Sequence, residues 1–384
     1  MTSNPKKTSQ IISKDLLIEE NQNDISPKET LEEQRGIIND VSEFLENIAI
    51  NEDKEKPPNK VAIIIHNAPD PDAIGSARAL QWLLAKKHAL VSNIYYDGDI
   101  SHPQNKTMVN ILDIRLHKTE EINDEFNIQI CLDCTEKNSA SENPNLVIDH
   151  HRVTSNAELS WIEPIGSTST LIWELIKELQ IEFEEEIDQD VATALFLGIR
   201  IDTQDMISEN TTDKDFDAFK ELANFVNRKK LAGIIDYPLP SYFFEAEREI
   251  NKVDHEGNFV NQKSKGSCLV GCIGITTAAK RDAIPMLADK VVRMEGIETA
   301  VVFGIVSDNL VASIRSANTS LDVNGFAKAV FGKQHGGGKM GSAGATVPLG
   351  IFKVSDVPSE IRDKMWDALK ISIFHRIFHV VAGN

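Results

Sequence analysis

Between residues 61 and 226 short apolar runs alternate with stretches whose apolar residues recur at helical spacing. The runs are 61–65, 90–96, 128–133 and 146–149; the helical stretches are 76–87, 168–179, 190–199 and 212–226. This alternation predicts parallel strands joined by crossover helices. Residues 227–266 are less regular and read as a linker, with Pro238, Pro240 and the aromatic pair Phe243-Phe244. A second α/β pattern follows, with strands predicted at 268–273, 299–306 and 310–314 and helices at 279–294 and 322–331. It closes in the glycine-rich run 335–344.

The two ends differ from this pattern. Residues 1–60 are polar and charged, and 27–48 carry one amphipathic period through Leu31, Ile37, Ile38, Val41, Phe44 and Leu45. We read a disordered tail, one helix docked on the body or a second subunit, and a linker ending at Pro57-Pro58. After Pro348 a second amphipathic helix is marked by Ile361, Met365, Leu369, Ile373 and Ile377. Its extra Phe374 and Phe378 favour packing against another element or subunit. His375 and His379 are spaced i, i+4 but lack a carboxylate partner, so they read as surface or interface residues. The expected organisation is an N-terminal extension 1–60, an α/β domain 61–226, a linker 227–266, a smaller α/β domain 267–350 and a helical tail 351–384.

Charge and cysteine content narrow the partners. A net charge of −19 argues against a nonspecific grip on long duplex DNA or anionic membrane. Four cysteines in 384 residues make no disulfide framework. Cys131 and Cys134 form a C-x-x-C on an apolar run, which reads as buried strand cysteine ahead of a redox pair. No apolar run nears membrane-spanning length and the polar N-terminus lacks a signal-peptide core, so a cytoplasmic protein is expected.

Candidate chemistry gathers where apolar runs end. His66-Asn67-Ala68-Pro69-Asp70-Pro71-Asp72-Ala73-Ile74-Gly75-Ser76 follows the first strand. Pro69 and Pro71 are expected to hold Asp70 and Asp72 extended, with Ser76 capping the next helix. Taken alone, the stretch reads equally as a metal loop or as a proline-stiffened turn with solvated acids. Asp133, Asp149-His150-His151 and Asp202 also terminate apolar runs, and the carboxyl ends of parallel strands converge on one sheet edge. Four such coincidences favour a metal cluster over separate helix caps.

These motifs together resemble the DHH phosphoesterase family, in its two-domain DHH–DHHA1 branch, over about residues 61–349. The first family motif, H-x-x-P-D-x-D-A-x-G-S, is complete from His66 to Ser76. Asp133 in Leu132-Asp133-Cys134-Thr135 stands for the second, and Asp149-His150-His151 is the name-giving third. The fourth is Gly198-Ile199-Arg200-Ile201-Asp202-Thr203, and Ser167-Thr168-Ser169 matches the family's S-T-S element. In the second half, Ser313-Ile314-Arg315-Ser316, Asp322-Val323-Asn324 and the glycine run resemble the DHHA1 pattern.

The resemblance implies a parallel-sheet domain and a smaller α/β domain with a catalytic cleft between them. It implies two divalent cations, with Mn²⁺ expected and Mg²⁺ or Co²⁺ as substitutes. His66 and Asp70 would hold one ion, Asp72, His150 and Asp202 the other, with Asp133 bridging. Oxygen-rich ligation with one imidazole per ion suits Mn²⁺ or Mg²⁺. Asp133, His150 and His151 are the catalytic candidates, His151 in a supporting role ahead of direct proton transfer.

Substrate contacts are expected from Arg315, through its forked donors, and from Gly336, Gly337 and Gly338 as a backbone nest. The family's run ends in His, whereas here it ends in Lys339, which offers a point charge to phosphate. His102 and Asn105 are further candidates, with helix capping as their structural alternative.

The function so implied is Mn²⁺-dependent hydrolysis of short nucleotidic substrates: short oligoribonucleotides, pAp, or linear or cyclic dinucleotides. The alternatives are a non-catalytic nucleotide sensor, an assembly scaffold built on the terminal helices and a RecJ-like single-strand exonuclease, the last disfavoured by the acidity. A homodimer is expected.

Overall fold

The computed structural model describes residues 27–50, 57–180, 187–339 and 341–383, with backbone alone at 27–35, 180, 339 and 383. The polar tail expected at 1–26 lies outside the described residues, as does most of the linker before Pro57.

Helix α1 (Pro27–Ala49) precedes the first sheet and buries Val41 and Leu45 completely. It docks on the body, against helices α2 (Pro71–His88) and α4 (Thr168–Gln180). The first sheet contains β1 (Lys60–Ile65), β2 (Val91–Tyr96), β3 (Leu116–Lys118), β4 (Ile128–Leu132), β5 (Leu146–Asp149) and β6 (Leu159–Ile162). Its order is β3-β2-β1-β4-β5-β6 and every pairing is parallel. Ile63, Ile64, Ile65 and Ile130 are at most 1% exposed, the continuous apolar run expected of strands covered on both faces. Chain order reverses between β1 and β4, so the crevice beyond their carboxyl ends is the sheet's switch point.

Helix α2 departs from the sequence expectation. It begins at Pro71, five residues before Ser76, because Asp70 is its cap and accepts from the N–H groups of Asp72 and Ala73. Proline at the first helical position loses only an N–H that would be orphaned anyway. Asp70 is therefore extended and Asp72 lies in the first helical turn.

Helix α3 (Pro103–Ile111) follows β2, and α5 (Gln189–Asp202) and α6 (Asp213–Leu222) follow α4. The presumed linker holds two helices, α7 (Arg228–Ile235) and α8 (Ser241–Ile250), and then β7 (Gln262–Lys265). The second sheet continues with β8 (Cys268–Thr276), helix α9 (Ala283–Val291), β9 (Thr299–Val306), β10 (Asn309–Ser316), helix α10 (Val323–Phe331), β11 (Gly336–Lys339) and β12 (Ser342–Pro348). Its order is β11-β12-β10-β9-β8-β7, with only β8 and β9 parallel. Helix α11 (Ser359–Gly383) lays Phe374 and Ile377 on this sheet's core, Phe374 edge-on to Phe303 at 5.6 Å.

The glycine run is a strand. Gly336 to Gly338 pair with β12, and none has positive φ. Glycine is needed there for closeness: a Cβ on Gly336 would stand 2.5 Å from the Ala327 carbonyl oxygen of α10.

Candidate metal centre

The switch point collects the predicted residues. His66 leaves β1, Asp133 leaves β4, and His150 follows β5. Asp72 comes from the first turn of α2 and Asp202 from the last residue of α5. Three groups have donor atoms close enough to share an ion: His66, Asp70 and Asp133; Asp72, His150 and Asp202; Asp133, His150 and His151. The first two use the six residues proposed as ligands, and Asp133 sits between them. His66 Nε2 lies 3.5 Å from Asp133 Oδ2, and His150 Nε2 lies 3.4 Å from Asp133 Oδ1.

Backbone and side-chain contacts fix each donor. Asp133 adopts a left-handed backbone, φ 56°, an arrangement costing about 1–3 kcal/mol that persists where surroundings over-determine it. Its N–H donates to the Ile148 carbonyl at 3.0 Å, tying it to β5. Asp72 is fully buried, and its two carboxylate oxygens accept from the Thr168 and Ser169 N–H groups at 2.7 and 2.8 Å. These are the orphan donors of the α4 N-terminus, where a carboxylate is stabilised. Thr168 Oγ1 also donates to Asp133 Oδ1 at 2.9 Å, so one residue braces acids of both groups. The S-T-S element thus acts as a cradle for carboxylates.

The imidazoles are aimed in the same way. His150 Nδ1–H donates to the Ile165 carbonyl at 3.0 Å and His66 Nδ1–H to the Asn67 carbonyl at 3.0 Å. Both Nε2 atoms are left facing acids. His150 Nε2 is buried, 3.0 Å from Asp202 Oδ2 and 3.9 Å from Asp72 Oδ2, yet makes no hydrogen bond of acceptable geometry. A buried, orphaned imidazole nitrogen among carboxylates is the donor set a divalent cation requires. The residues fit such an ion.

The electrostatics reflect this crowding. Burial, which alone would lower His66, is outweighed by Asp133 and Asp70, and its pKa is raised to about 11. For His150, burial is outweighed by Asp202, Asp72 and Asp133, raising it to about 10. Burial and the neighbouring Asp133 and Asp202 push Asp72 well above the usual carboxylate range. Without a cation, protons take up the charge that these acids cannot all carry.

His151 stands apart. Its Nδ1–H donates to Asp149 Oδ1 at 2.8 Å, and its side chain is 51% exposed. Asp149 therefore fixes the tautomer and leaves Nε2 free.

The candidates outside the centre have definite partners. His102 caps α3, with Nδ1 accepting from Gln104 N at 3.3 Å, and packs edge-on to Tyr237. Asn105 is buried and donates to the Pro69 carbonyl at 3.0 Å, so it holds the first loop from behind. The His102 contact is the helix cap, while the Asn105 contact is a brace on the neighbouring loop. Arg315 is held through Nε to Asp289 at 2.5 Å and through its terminal nitrogen to Ser313 Oγ at 2.9 Å. It borders a cavity of about 280 Å³ that also touches Arg281, Ile284, Pro285 and Gly338. The Lys339 side chain lies outside the described residues; its backbone pairs with Ser342. Cys131 and Cys134 are buried and unlinked by a disulfide, the latter donating to the Ile64 carbonyl at 3.4 Å.

Residues 60–199 match the DHH family, N-terminal domain. The chain is 34% identical over 332 residues to the uncharacterized protein MJ1633 of Methanocaldococcus jannaschii, covering 85% of this chain and 65% of that protein. Over 187 residues it is 29% identical to a probable manganese-dependent inorganic pyrophosphatase of Lactobacillus delbrueckii subsp. bulgaricus, covering 46% of this chain and 56% of that one. The chain thus spans less than two thirds of the length of either relative. An exopolyphosphatase-related protein from Bacteroides fragilis shares the fold, with TM-score 0.59, 16% identity, and coverage of 89% of this chain and 98% of that chain. No helix among the described residues is long and apolar enough to cross a membrane.

Proposed function

We propose that this chain, a member of the DHH family through its residues 60–199, is a metal-dependent phosphoric ester hydrolase acting on short nucleotidic substrates. The observation that carries the reading is the convergence of His66, Asp70, Asp72, Asp133, His150 and Asp202 into two ligand groups that meet at Asp133. His66, Asp70 and Asp133 would hold one divalent cation and Asp72, His150 and Asp202 a second, with Mn²⁺ the expected ion. Such cations, when bound, polarise phosphoryl oxygens and lower the pKa of water.

The chain's own residues supply the rest. Thr168 and Ser169 orient Asp72, and Thr168 orients Asp133, through the hydrogen bonds described. His151, its Nδ1–H held by Asp149, presents Nε2 as the group that donates a proton to the leaving oxygen. Arg315 and Arg281 offer cationic donors to phosphate, while Ile284 and Pro285 give the same cavity an apolar wall suited to a sugar or base.

A second reading, inorganic pyrophosphate hydrolysis, is favoured by the similarity to Lactobacillus proteins named as probable manganese-dependent inorganic pyrophosphatases. One assay separates the two. Purified protein is incubated with Mn²⁺ and, in turn, pAp, linear dinucleotides, cyclic dinucleotides, longer oligomers and pyrophosphate. Turnover of the short nucleotides above pyrophosphate supports the proposal. The reverse ranking installs the second reading, and no product from any substrate with Mn²⁺, Mg²⁺ or Co²⁺ removes both.

A further inference from the structure

Asp215 lies in the first turn of α6 and is fully buried, with no Lys or Arg among its described partners. Its carboxylate accepts four hydrogen bonds. Oδ1 takes Thr170 Oγ1 at 2.6 Å, and Oδ2 takes the Gly166 N–H at 2.9 Å, the Thr212 N–H at 2.8 Å and Thr212 Oγ1 at 2.7 Å. The Thr212 N–H contact is that of an ordinary capping box, and the Thr212 hydroxyl donates to the same oxygen. The other two reach residues 45 and 49 positions upstream, where capping has no need of them.

The Gly166 N–H belongs to the same peptide unit as the Ile165 carbonyl, and that carbonyl accepts the Nδ1–H of His150. A carboxylate, a peptide and an imidazole are therefore connected in series. We propose that Asp215 is a positioning residue for the metal centre: acting through the 165–166 peptide, it holds His150 in the Nδ1–H tautomer and strengthens Nε2 as a cation donor. A carboxylate on the N–H polarises the peptide and makes its carbonyl a better acceptor, as linked hydrogen bonds strengthen one another. The arrangement is a carboxylate–histidine–metal relay with a peptide bond inserted. The bond to Thr170 extends the same hold to the turn that cradles Asp72 and Asp133.

This inference rests on the metal-centre reading above, and its test separates the two. Mn²⁺ affinity of the full-length protein is measured by calorimetry for wild type, Asp215→Asn and Thr212→Val, together with Tm. The His150 Nδ1–H resonance is followed by NMR in the Mg²⁺-loaded protein. Asp215→Asn is expected to weaken Mn²⁺ binding about 10- to 100-fold, as loss of such outer partners does, and to move the resonance upfield. Thr212→Val removes one competitor for Oδ2 but leaves the Gly166 contact, so Tm falls while Mn²⁺ affinity stays within about 3-fold.

A folded Asp215→Asn with wild-type affinity and an unmoved resonance overturns the proposal. If Asp215→Asn does not fold, Thr212→Val decides: affinity lost in step with Tm means a merely structural role, and affinity retained supports the relay. Wild-type protein that binds no Mn²⁺ removes the metal-centre reading itself, and this proposal with it.

Discussion

Asp149 and His151 are joined by a 2.8 Å hydrogen bond from Nδ1–H to Oδ1, and His151 Nδ1 lies 3.7 Å from Asp133 Oδ1. The first contact commits Nδ1 to Asp149, as the proposed proton donation from Nε2 requires, whereas the second puts His151 within reach of an ion shared with Asp133 and His150. The bond to Asp149 also raises the His151 pKa above its ordinary value. We expect His151→Gln to lower kcat about 10²- to 10⁴-fold while leaving Mn²⁺ affinity within a few fold. Calorimetry beside steady-state kinetics checks this; affinity that collapses together with kcat makes His151 a ligand instead.

Asp133 should be the least replaceable acid, because both candidate ligand groups meet there. Asp133→Ala is expected to abolish measurable turnover and to lower Mn²⁺ stoichiometry. Thr168→Val removes one hydrogen bond to Asp133 but keeps the backbone N–H on Asp72. It should cost only about 10-fold in affinity, within the range seen for outer partners. Equal losses in the two variants would contradict the proposed sharing of Asp133 by both ligand groups.

Much of this centre was legible because His66, Asp133, His150 and Asp202 end or directly follow apolar runs that the pattern already marked as a strand or helix, and Asp70 and Asp72 stand on the loop after the first of them. Parallel strands bring such ends together, so spacing in sequence did not matter. Asp215 was not legible: Thr212-x-x-Asp215 reads as a helix start, and its remote partners Gly166 and Thr170 carry no signal of their own. Edge strands β3 and β6, at three and four residues, are too short for a period-2 pattern. Helices α7 and α8 span eight and ten residues around Pro238 and Pro240, which hid them inside an apparent linker. The glycine run carried a different signal. Its residues read as a backbone nest for an anion, and the structure uses their missing Cβ to bring β11 against α10 and β12.

The pH dependence of metal binding follows from the two imidazoles. In the ion-free protein His66 and His150 titrate near 11 and 10, both above the ordinary 6.5, because burial is outweighed by surrounding carboxylates. Their contribution to stability is complete below about pH 6.5 and is lost as pH rises through 10 to 11. A cation must displace those protons, so Mn²⁺ affinity should rise with pH from 6 to 9 and binding should release protons. Calorimetry in buffers of different ionisation enthalpy counts them. Zero release at pH 7 would show that both imidazoles are already neutral.

Arg315 is oriented by Asp289 and Ser313, which accept from its Nε and Nη1. Arg315→Lys keeps the charge but loses the fork, so KM should rise about 10-fold or more with kcat changed less. Asp289→Asn should loosen the same side chain and raise KM in the same direction. Steady-state kinetics on the best substrate of the panel provides the check, and unchanged KM in both variants would take Arg315 out of substrate binding.

Two glycines separate fold stability from metal affinity. Gly75 in α2 faces the backbone of α5, where a Cβ would stand 2.5 Å from the Ala194 carbonyl oxygen. Gly198 in α5 faces the cradle itself: a Cβ there would collide with Ser169 Oγ and stand 2.9 Å from Asp72 Oδ1. Overpacking at either position should destabilise the protein by about 1–3 kcal/mol, since neither backbone can retreat without its helix. Only Gly198→Ala pushes on a ligand and on the donor beside it, so only that variant should also weaken Mn²⁺ binding beyond the general loss. Tm and Mn²⁺ titrations on both proteins test the distinction. Matched losses of affinity would mean that the contact between α2 and α5, rather than the cradle of Asp72, governs the centre.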